Sequence, residues 1–396
     1  MVLPAFKTLL GNLSQEPPLG WAQLFHQKIR LLVALSGIAF ADILIFMQLG
    51  FKAMLFDGAT LVHNQIQGDV ILISNRTKTL LEGQTFSRRH LYQAAAVEGV
   101  ASASPFYYSL AGWVNPWKKE VTEIAVIAFD PARPVLDLPT VNQQLEQIKL
   151  PHVVLFDSQS QPATGPVVKS FNQGKTVFTE ISGHRIRVGG VFTLGSSMFV
   201  KGHLVTSDWN FQRIFGADRF DKIHVGILTL KPGADPQTVI QNIQTSLPND
   251  VRVLTRKDFK EHELAFWSSE HPAGTIFNFG AIMGFIVGIV IVYQVLYSDV
   301  NDHLPEYATL KAMGYSDTTL LGVVFQEAII LAILGFIPGA ACSVGMYALL
   351  GNLTRIPLVM RVDVALQVFI MTVAMCLISA AVAMRKLHSA DPADVF

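Results

Sequence analysis

The chain has 396 residues, of which 51% are hydrophobic and only 15% charged, with Lys+Arg 30 against Asp+Glu 30. Soluble domains carry about 25% charged residues, so the deficit points to a membrane protein. A net charge of zero excludes the electrostatic footprint of a nucleic-acid binder or of a broad basic membrane patch. The two cysteines, Cys342 and Cys376, lie in apolar runs and offer neither a disulfide framework nor a CxxC metal spacing.

Residues 1–30 end in a stretch where Trp21, Leu24, Phe25, Lys28 and Ile29 fall at helical spacing, with Gln23, His26, Gln27 and Arg30 opposite. That pattern fits an amphipathic helix in the headgroup region on the cytoplasmic side, and equally a plain extension of the first span. Residues 31–51 are that first span, close to the ~20 residues that cross a bilayer. No small-residue cleavage site ends it, so it reads as a retained anchor. Asp42 sits near its middle, where a carboxylate costs on the order of 2.5–3.5 kcal/mol. It must face protein, water or a partner helix, and packing is favoured over a proton relay because no second intramembrane acid or histidine obviously pairs with it.

Residues 52–273 change character. Strand-like runs at Asp69–Ser74, Glu123–Phe129, His152–Phe156 and Ile223–Leu230 alternate with helical segments around Arg88–Val97, Val141–Ile148 and Pro236–Ser246. This is a water-facing α+β domain large enough for its own core. Val177–Phe192, with Gly183 and Gly189-Gly190, reads as a hairpin near its middle. After Thr255 a stalk helix starts, with Asp258 completing the cap, and it is expected to run continuously into the second span at 275–297. Trp267 outside and Tyr293 and Tyr297 inside would anchor that span.

Residues 298–319 are a short charged loop in which Pro305 suits a first helical position and Gly314 a left-handed stop. Glu306 to Met313 then makes a helix of about two turns. Tyr307, Leu310 and Met313 share its apolar stripe, and Glu306 and Lys311 face solvent or a partner. The third span, 320–350, is long and should kink at Pro338. Glu327 lies near its start, at the inner interface, where snorkelling or packing against Lys28 or Arg30 suits it. A short outer loop at 351–363, a fourth span at 364–384 and a tail at 385–396 complete the chain.

Orientation follows the short flanks. Lys28, Arg30, Lys311, Arg385 and Lys386 lie on one side against Lys52, Arg355 and Arg361 on the other, which places both termini and the 298–319 loop inside. Gly280, Gly284 and Gly288 repeat every fourth residue, as do Gly335, Gly339 and Ser343, and such ridges serve packing within one chain or pairing of two copies. Catalytic and metal motifs fail on inspection. Gly174-Lys175-Thr176 lacks the leading glycine of a phosphate loop, which is Lys169, and His262-Glu263 lacks the second zinc ligand, which is Phe266. Gly195-Ser196-Ser197 continues with Met198-Phe199 and forms no nucleophile elbow. No enzyme is expected in this chain, and any ATP would be bound by another subunit.

The run Glu306-Tyr-Ala-Thr-Leu-Lys-Ala-Met-Gly314, followed by Phe325-Gln326-Glu327 and Gly335 and closed by Ala390-Asp-Pro-Ala-Asp-Val-Phe396, resembles the FtsX/MacB-type permease family of ABC systems. Tyr307 stands where many members carry Ile or Leu. The start, Pro18-Leu-Gly-Trp21 and Arg30 to Leu44, is similar to the DevC branch, the permeases of cyanobacterial heterocyst-glycolipid-type exporters. The resemblance implies four transmembrane helices with a large extracytoplasmic α+β domain between spans 1 and 2, in a bacterial inner membrane. It also implies a separate ABC ATPase that holds ATP and Mg, docked at Pro305, Glu306, Tyr307, Leu310, Lys311, Met313 and Gly314. The further partners implied are a second copy of the chain, a periplasmic adaptor (membrane fusion protein) and a TolC-like outer-membrane channel, together exporting a lipid or amphiphilic cargo. The alternatives are an FtsX-like regulator that moves no cargo, and a membrane-anchored enzyme, which would need a deep outer-domain pocket with convergent acids, His or Ser.

Overall fold

The computed structural model describes residues 28–216, 221–306, 309, 313–314, 317–354, 356 and 358–384, with 317–320 described as backbone only. The expected amphipathic helix before Lys28 and the terminal motif after Met384 lie outside these residues. The chain divides into two compact units, one of Met1–Lys52, Ile276–Leu349 and Val359–Phe396, the other of Ala53–Thr275 and Leu350–Leu358.

The second unit is built on strands β1 (Val70–Ser74), β2 (Phe86–Ser87), β3 (Val100–Val114), β4 (Val121–Phe129), β5 (Val153–Asp157), β6 (Phe178–Ile181), β7 (His184–Phe192), β8 (His203–Ser207), β9 (Lys222–Ile223), β10 (Val225–Leu230) and β11 (Val251–Thr255). Nine of them form one sheet in the order β11-β1-β10-β3-β4-β8-β5-β7-β6, while β2 pairs with β9 separately. The β4–β8 and β5–β7 pairs are parallel. β6 also pairs back onto β3 at Trp113↔Ile181, so the six strands from β3 round to β6 curl into a nearly closed ring. β3 makes this possible by pairing with β10 through Val100–Phe106 and with β4 through Phe106–Val114.

Strand side chains alternate between faces, so a strand covered on both sides reads as an unbroken apolar run. β1 is such a strand, buried at every position. Val70 and Leu72 join Leu91 and Val239 from the helices Arg88–Ala95 and Pro236–Ser246, whereas Ile71 and Ile73 join Phe259 from the helix Arg256–Ala265 on the other face. The latter helix starts with the expected capping box between Thr255 and Asp258. The β6–β7 hairpin turns on Ser182 and Gly183, whose φ values of 48° and 82° fit the two-residue turn that matches strand twist.

Three expectations need correction. The helix expected over Val141–Ile148 is two single turns, Pro139–Asn142 and Leu145–Ile148, because Gln144 leaves helical geometry and donates from Nε2 to the Val191 carbonyl at 2.9 Å. The stalk does not run unbroken into the second span. Arg256–Ala265 passes into a π-helical turn at Phe266–Glu270, and His271 is extended at φ −88° and ψ 135°, as a residue before Pro272 prefers to be. Trp267 is no interfacial anchor either. It is 4% exposed, its Nε1 donates to Glu263 at 2.9 Å, and its ring lies 4.3 Å from Phe199.

Two buried polar nodes hold loops to the sheet. Asp157, at the end of β5, accepts N–H bonds from Gln159 and Leu194 at 3.1 Å and from Gly195 at 2.9 Å. Gly195 itself needs its φ of +126°, a region closed to most side chains. Glu263 accepts from Leu80 N at 2.8 Å and from Trp267, and lies 3.4 Å from His63 Nε2. Removing Asp157 as Asp157→Ala leaves its buried N–H groups unpaired and is expected to destabilise the protein by about 3 kcal/mol. Denaturant unfolding of the variant against wild type measures this.

Tyr108 is buried, and burial first, then the Glu263 and Glu123 charges, push its phenol above the ordinary range. A group raised in the folded state adds stability that is intact below its unfolded pKa, about 10 for tyrosine, and is lost as pH rises past it. Thermal midpoints of the wild type should therefore fall steeply above about pH 10. Those of Tyr108→Phe should fall less.

Candidate functional site

Among the described residues four helices are long and apolar enough to cross a membrane: Lys28–Ala59, Pro272–Asp302, Asp317–Thr354 (apolar from Leu321) and Val362–Ala383. Each outruns the expected span at one or both ends. Between apolar helices in lipid, association rests on close packing and hydrogen bonds, because lipid is as apolar as leucine. The first-span helix takes contacts of that kind from the other three. A side chain at Gly284 would meet Ile45 at 3.0 Å, and one at Gly288 would meet Ala41 at the same distance. Gly280 lies against Gln48. The glycine ridge of the second span therefore faces the first span of the same chain.

The third span does likewise. Gly335 lies over Ile38, and a Cβ at Gly339 would sit 2.9 Å from Asp42 Cβ and 3.2 Å from the Ala39 backbone. Pro338, beside them, lies inside the helix and has no N–H to offer Leu334. Tyr347 donates from its hydroxyl to the Phe46 carbonyl. From the fourth span, Thr372 Oγ1 donates to Asp42 Oδ1 at 2.6 Å, and Ser379 Oγ donates to Ile289 O of the second span at 2.8 Å. Asp42 is thus fully buried at the junction of three helices.

Glu327 is also fully buried, so its carboxyl does not snorkel out of the bundle. Its charged neighbour is Asp299, and Arg30 pairs instead with Asp302. The Arg30–Asp302 pair joins the start of the first-span helix to the end of the second, where the loop begins, and Glu327 with Asp299 brings the third span to the same end.

In that loop Leu304, Pro305, Glu306 and Thr309 are helical. Thr309 Oγ1 donates to Pro305 O at 2.8 Å, and Met313 N donates to Thr309 O at 3.0 Å. Gly314 follows at φ +95°, the left-handed conformation a helix stop uses. His303 Nδ1 lies 3.1 Å from Glu306 Oε2, and His303 N donates to Asp299 O at 3.1 Å. Glu306 and Met313 are exposed, Met313 at 64%. Tyr307, Leu310 and Lys311 lie outside the described residues.

Sequence reading missed Thr372, Ser379, Tyr347, Asp299 and His303. A hydroxyl inside an apolar run carries no periodic signal, and only its position opposite a carboxyl or carbonyl gives it a role.

The second unit holds a cleft of about 530 Å³ lined by Phe156, Ser158, Ser160, Thr164, Lys169 and Asn172 among others. Serines line it, but no acid or histidine lies there to activate them. A cavity of about 20 Å³ beside Tyr108, His203 and Glu263 has room for one water. His262, the residue of the zinc-like pair, has its Nε2 3.1 Å from Thr77 O, while Glu263 points to His63, Leu80 and Trp267.

Residues 278–392 match the family model described as FtsX-like permease C-terminal. The match takes in the second, third and fourth spans and the loop just described. No curated protein matches the chain at a significant level. Among solved structures, the periplasmic region of MacB from Actinobacillus actinomycetemcomitans aligns at 11% identity over 50% of this chain and 94% of that one, with a TM-score of 0.34. The extracellular domain of the noncanonic ABC-type transporter YknZ from Gram-positive bacteria aligns at 11% identity over 47% and 98%, with a TM-score of 0.31.

The glycine contacts make a direct test. Gly339→Val should cost about 1–3 kcal/mol by overpacking against Asp42 and Ala39. Gly345→Val, on the same helix with nothing within 4 Å, should be close to neutral. Thermal midpoints of the two variants extracted from membranes read the difference.

Proposed function

We propose that the chain is the permease subunit of an ABC-type exporter, working by transmission of mechanical force from a separate ATPase. The observation that carries the proposal is the match of residues 278–392 to the FtsX-like permease C-terminal model, which takes in the second, third and fourth spans and the loop between the second and third. In this reading the loop faces the cytosol and docks on the ATPase. Tyr307, Leu310 and Met313 are anchors, and Glu306 and Lys311 form the rim, in keeping with the usual weight of apolar and aromatic contacts at interfaces. ATP closure displaces the loop. The first-span helix, unbroken from Lys28 to Ala59 and held by glycine contacts to the second and third spans, carries the displacement toward the periplasmic domain.

That domain then works an adaptor and an outer-membrane duct, so cargo need not pass between the spans. The similarity of Arg30 to Leu44 to the DevC branch supports a lipid-like, glycolipid-type cargo. Two copies pair in the membrane. Because Gly280, Gly284 and Gly288 are covered within the chain, the face offered to a second copy is the exposed stripe of Ile276, Phe279, Met283, Ile286 and Val290, at coiled-coil spacing. Charge reversal with anchor truncation, Glu306→Arg with Leu310→Ala, should leave the protein inserted and the ATPase active while abolishing export. Measured ATP hydrolysis and cargo efflux in the same membranes check this, and unchanged export would refute the docking assignment.

A further inference from the structure

Glu327 is buried to 0% exposure, and among the described residues no N–H or hydroxyl donor reaches its carboxyl oxygens. Its surroundings on the third span, Val324, Ala328 and Leu331, are buried and apolar. Among the described residues the charged group acting on it is Asp299 of the second-span helix, and the two carboxyl groups lie within hydrogen-bond reach of each other. Two carboxylates side by side repel each other, and although His303 and Arg30 act on Asp299, no cation among the described residues acts on Glu327 to offset its repulsion and desolvation. A metal ion does not fit the place. No group of three or more His, Cys, Asp or Glu able to hold one occurs among the described residues, and hard cations need about six oxygens. One proton is the ligand that fits.

A path leads from this pair to the surface. Asp299 Oδ1 lies 3.9 Å from His303 Nε2, and His303 Nδ1 lies 3.1 Å from Glu306 Oε2. Glu306 is exposed on the loop, its side chain 63% accessible. The groups facing this chain of residues are Arg30 from the first-span helix, Asp302 from the end of the second, and Glu327 from the third. Histidine suits the middle position, since its two ring nitrogens can take a proton on one side and release one on the other.

We propose that Glu327, with Asp299 beside it, is a buried proton-binding site that exchanges with solvent through His303 and Glu306. A proton on the Glu306 carboxyl passes to Nδ1 of His303 while the proton on Nε2 passes, after a small rotation of the ring, to the Asp299 carboxylate and on to Glu327. The imidazole is left neutral as the other tautomer, and release runs the same steps backwards. Because His303 and Glu306 begin the loop, proton occupancy and loop position are linked. The site stands on its own geometry, whether or not that loop docks on an ATPase.

Infrared spectroscopy of the full chain in lipid nanodiscs at neutral pH, with transfer into heavy water, tests this. The wild type should show a protonated-carboxyl band that moves on labelling with isotopic glutamate and disappears in Glu327→Gln. His303→Gln should keep the band and the thermal midpoint but slow its hydrogen–deuterium exchange severalfold, a change that loss of mere packing would not produce. The glutamate label needs no variant, so it decides the matter even if Glu327→Gln fails to fold. A neutral-pH spectrum in which no protonated-carboxyl band follows the glutamate label overturns the site. An exchange rate unchanged in His303→Gln overturns the path.

Discussion

The approach of bare backbone to the first-span helix is the constraint on which the bundle depends. Gly284 and Gly288 from the second span and Gly335 and Gly339 from the third all lie against one stretch, Ile38 to Ile45. In lipid there is no gain from hiding apolar surface, so contact at this range, with a few hydrogen bonds, has to hold the helices together. Asp42 lies at the centre of that stretch, and its bond from Thr372 brings in the fourth span. A carboxyl that would be costly in lipid thus becomes a point at which the third and fourth spans meet the first. Tightly packed elements move as bodies.

The second unit reaches order differently. Its sheet is covered on both faces, and the apolar alternation of β1 fills two cores at once. Where loops return to the sheet, single buried carboxylates collect several N–H groups, Asp157 at one end and Glu263 at another. Buried acids of this kind fix loop conformation.

Much of this was legible in the sequence. Long apolar runs gave the four spans, and Pro236–Ser246 and the Thr255 cap were located from turn and cap chemistry alone. Pro305 and Gly314 likewise marked the loop helix, and Gly314 has the positive φ its position implied. β3 was missed because Val-Ala-Ser-Ala-Ser-Pro-Phe opens with small residues and a proline, of low strand propensity. It is held as a strand by β10 and β4 on either side. The break at His271 was overlooked although Pro272 signals it, because the apolar side of Arg256–Ala265 leads straight into the apolar run of the second span. The environment of Glu327 depends on a residue 28 positions earlier in a different span (327 − 299 = 28), and no local pattern shows such a pair.

The buried carboxyl pair leads to the short helix that follows the second span, and the proposed docking of an ATPase would act on the same helix. Its sidedness is therefore the most direct test. In a chain carrying Thr309→Cys with Cys342 and Cys376 replaced by alanine, a membrane-impermeant maleimide should leave intact cells unlabelled. The same reagent should label inside-out vesicles, less so when the ATPase is bound. Labelling of Thr309→Cys from the outside of intact cells would contradict the account.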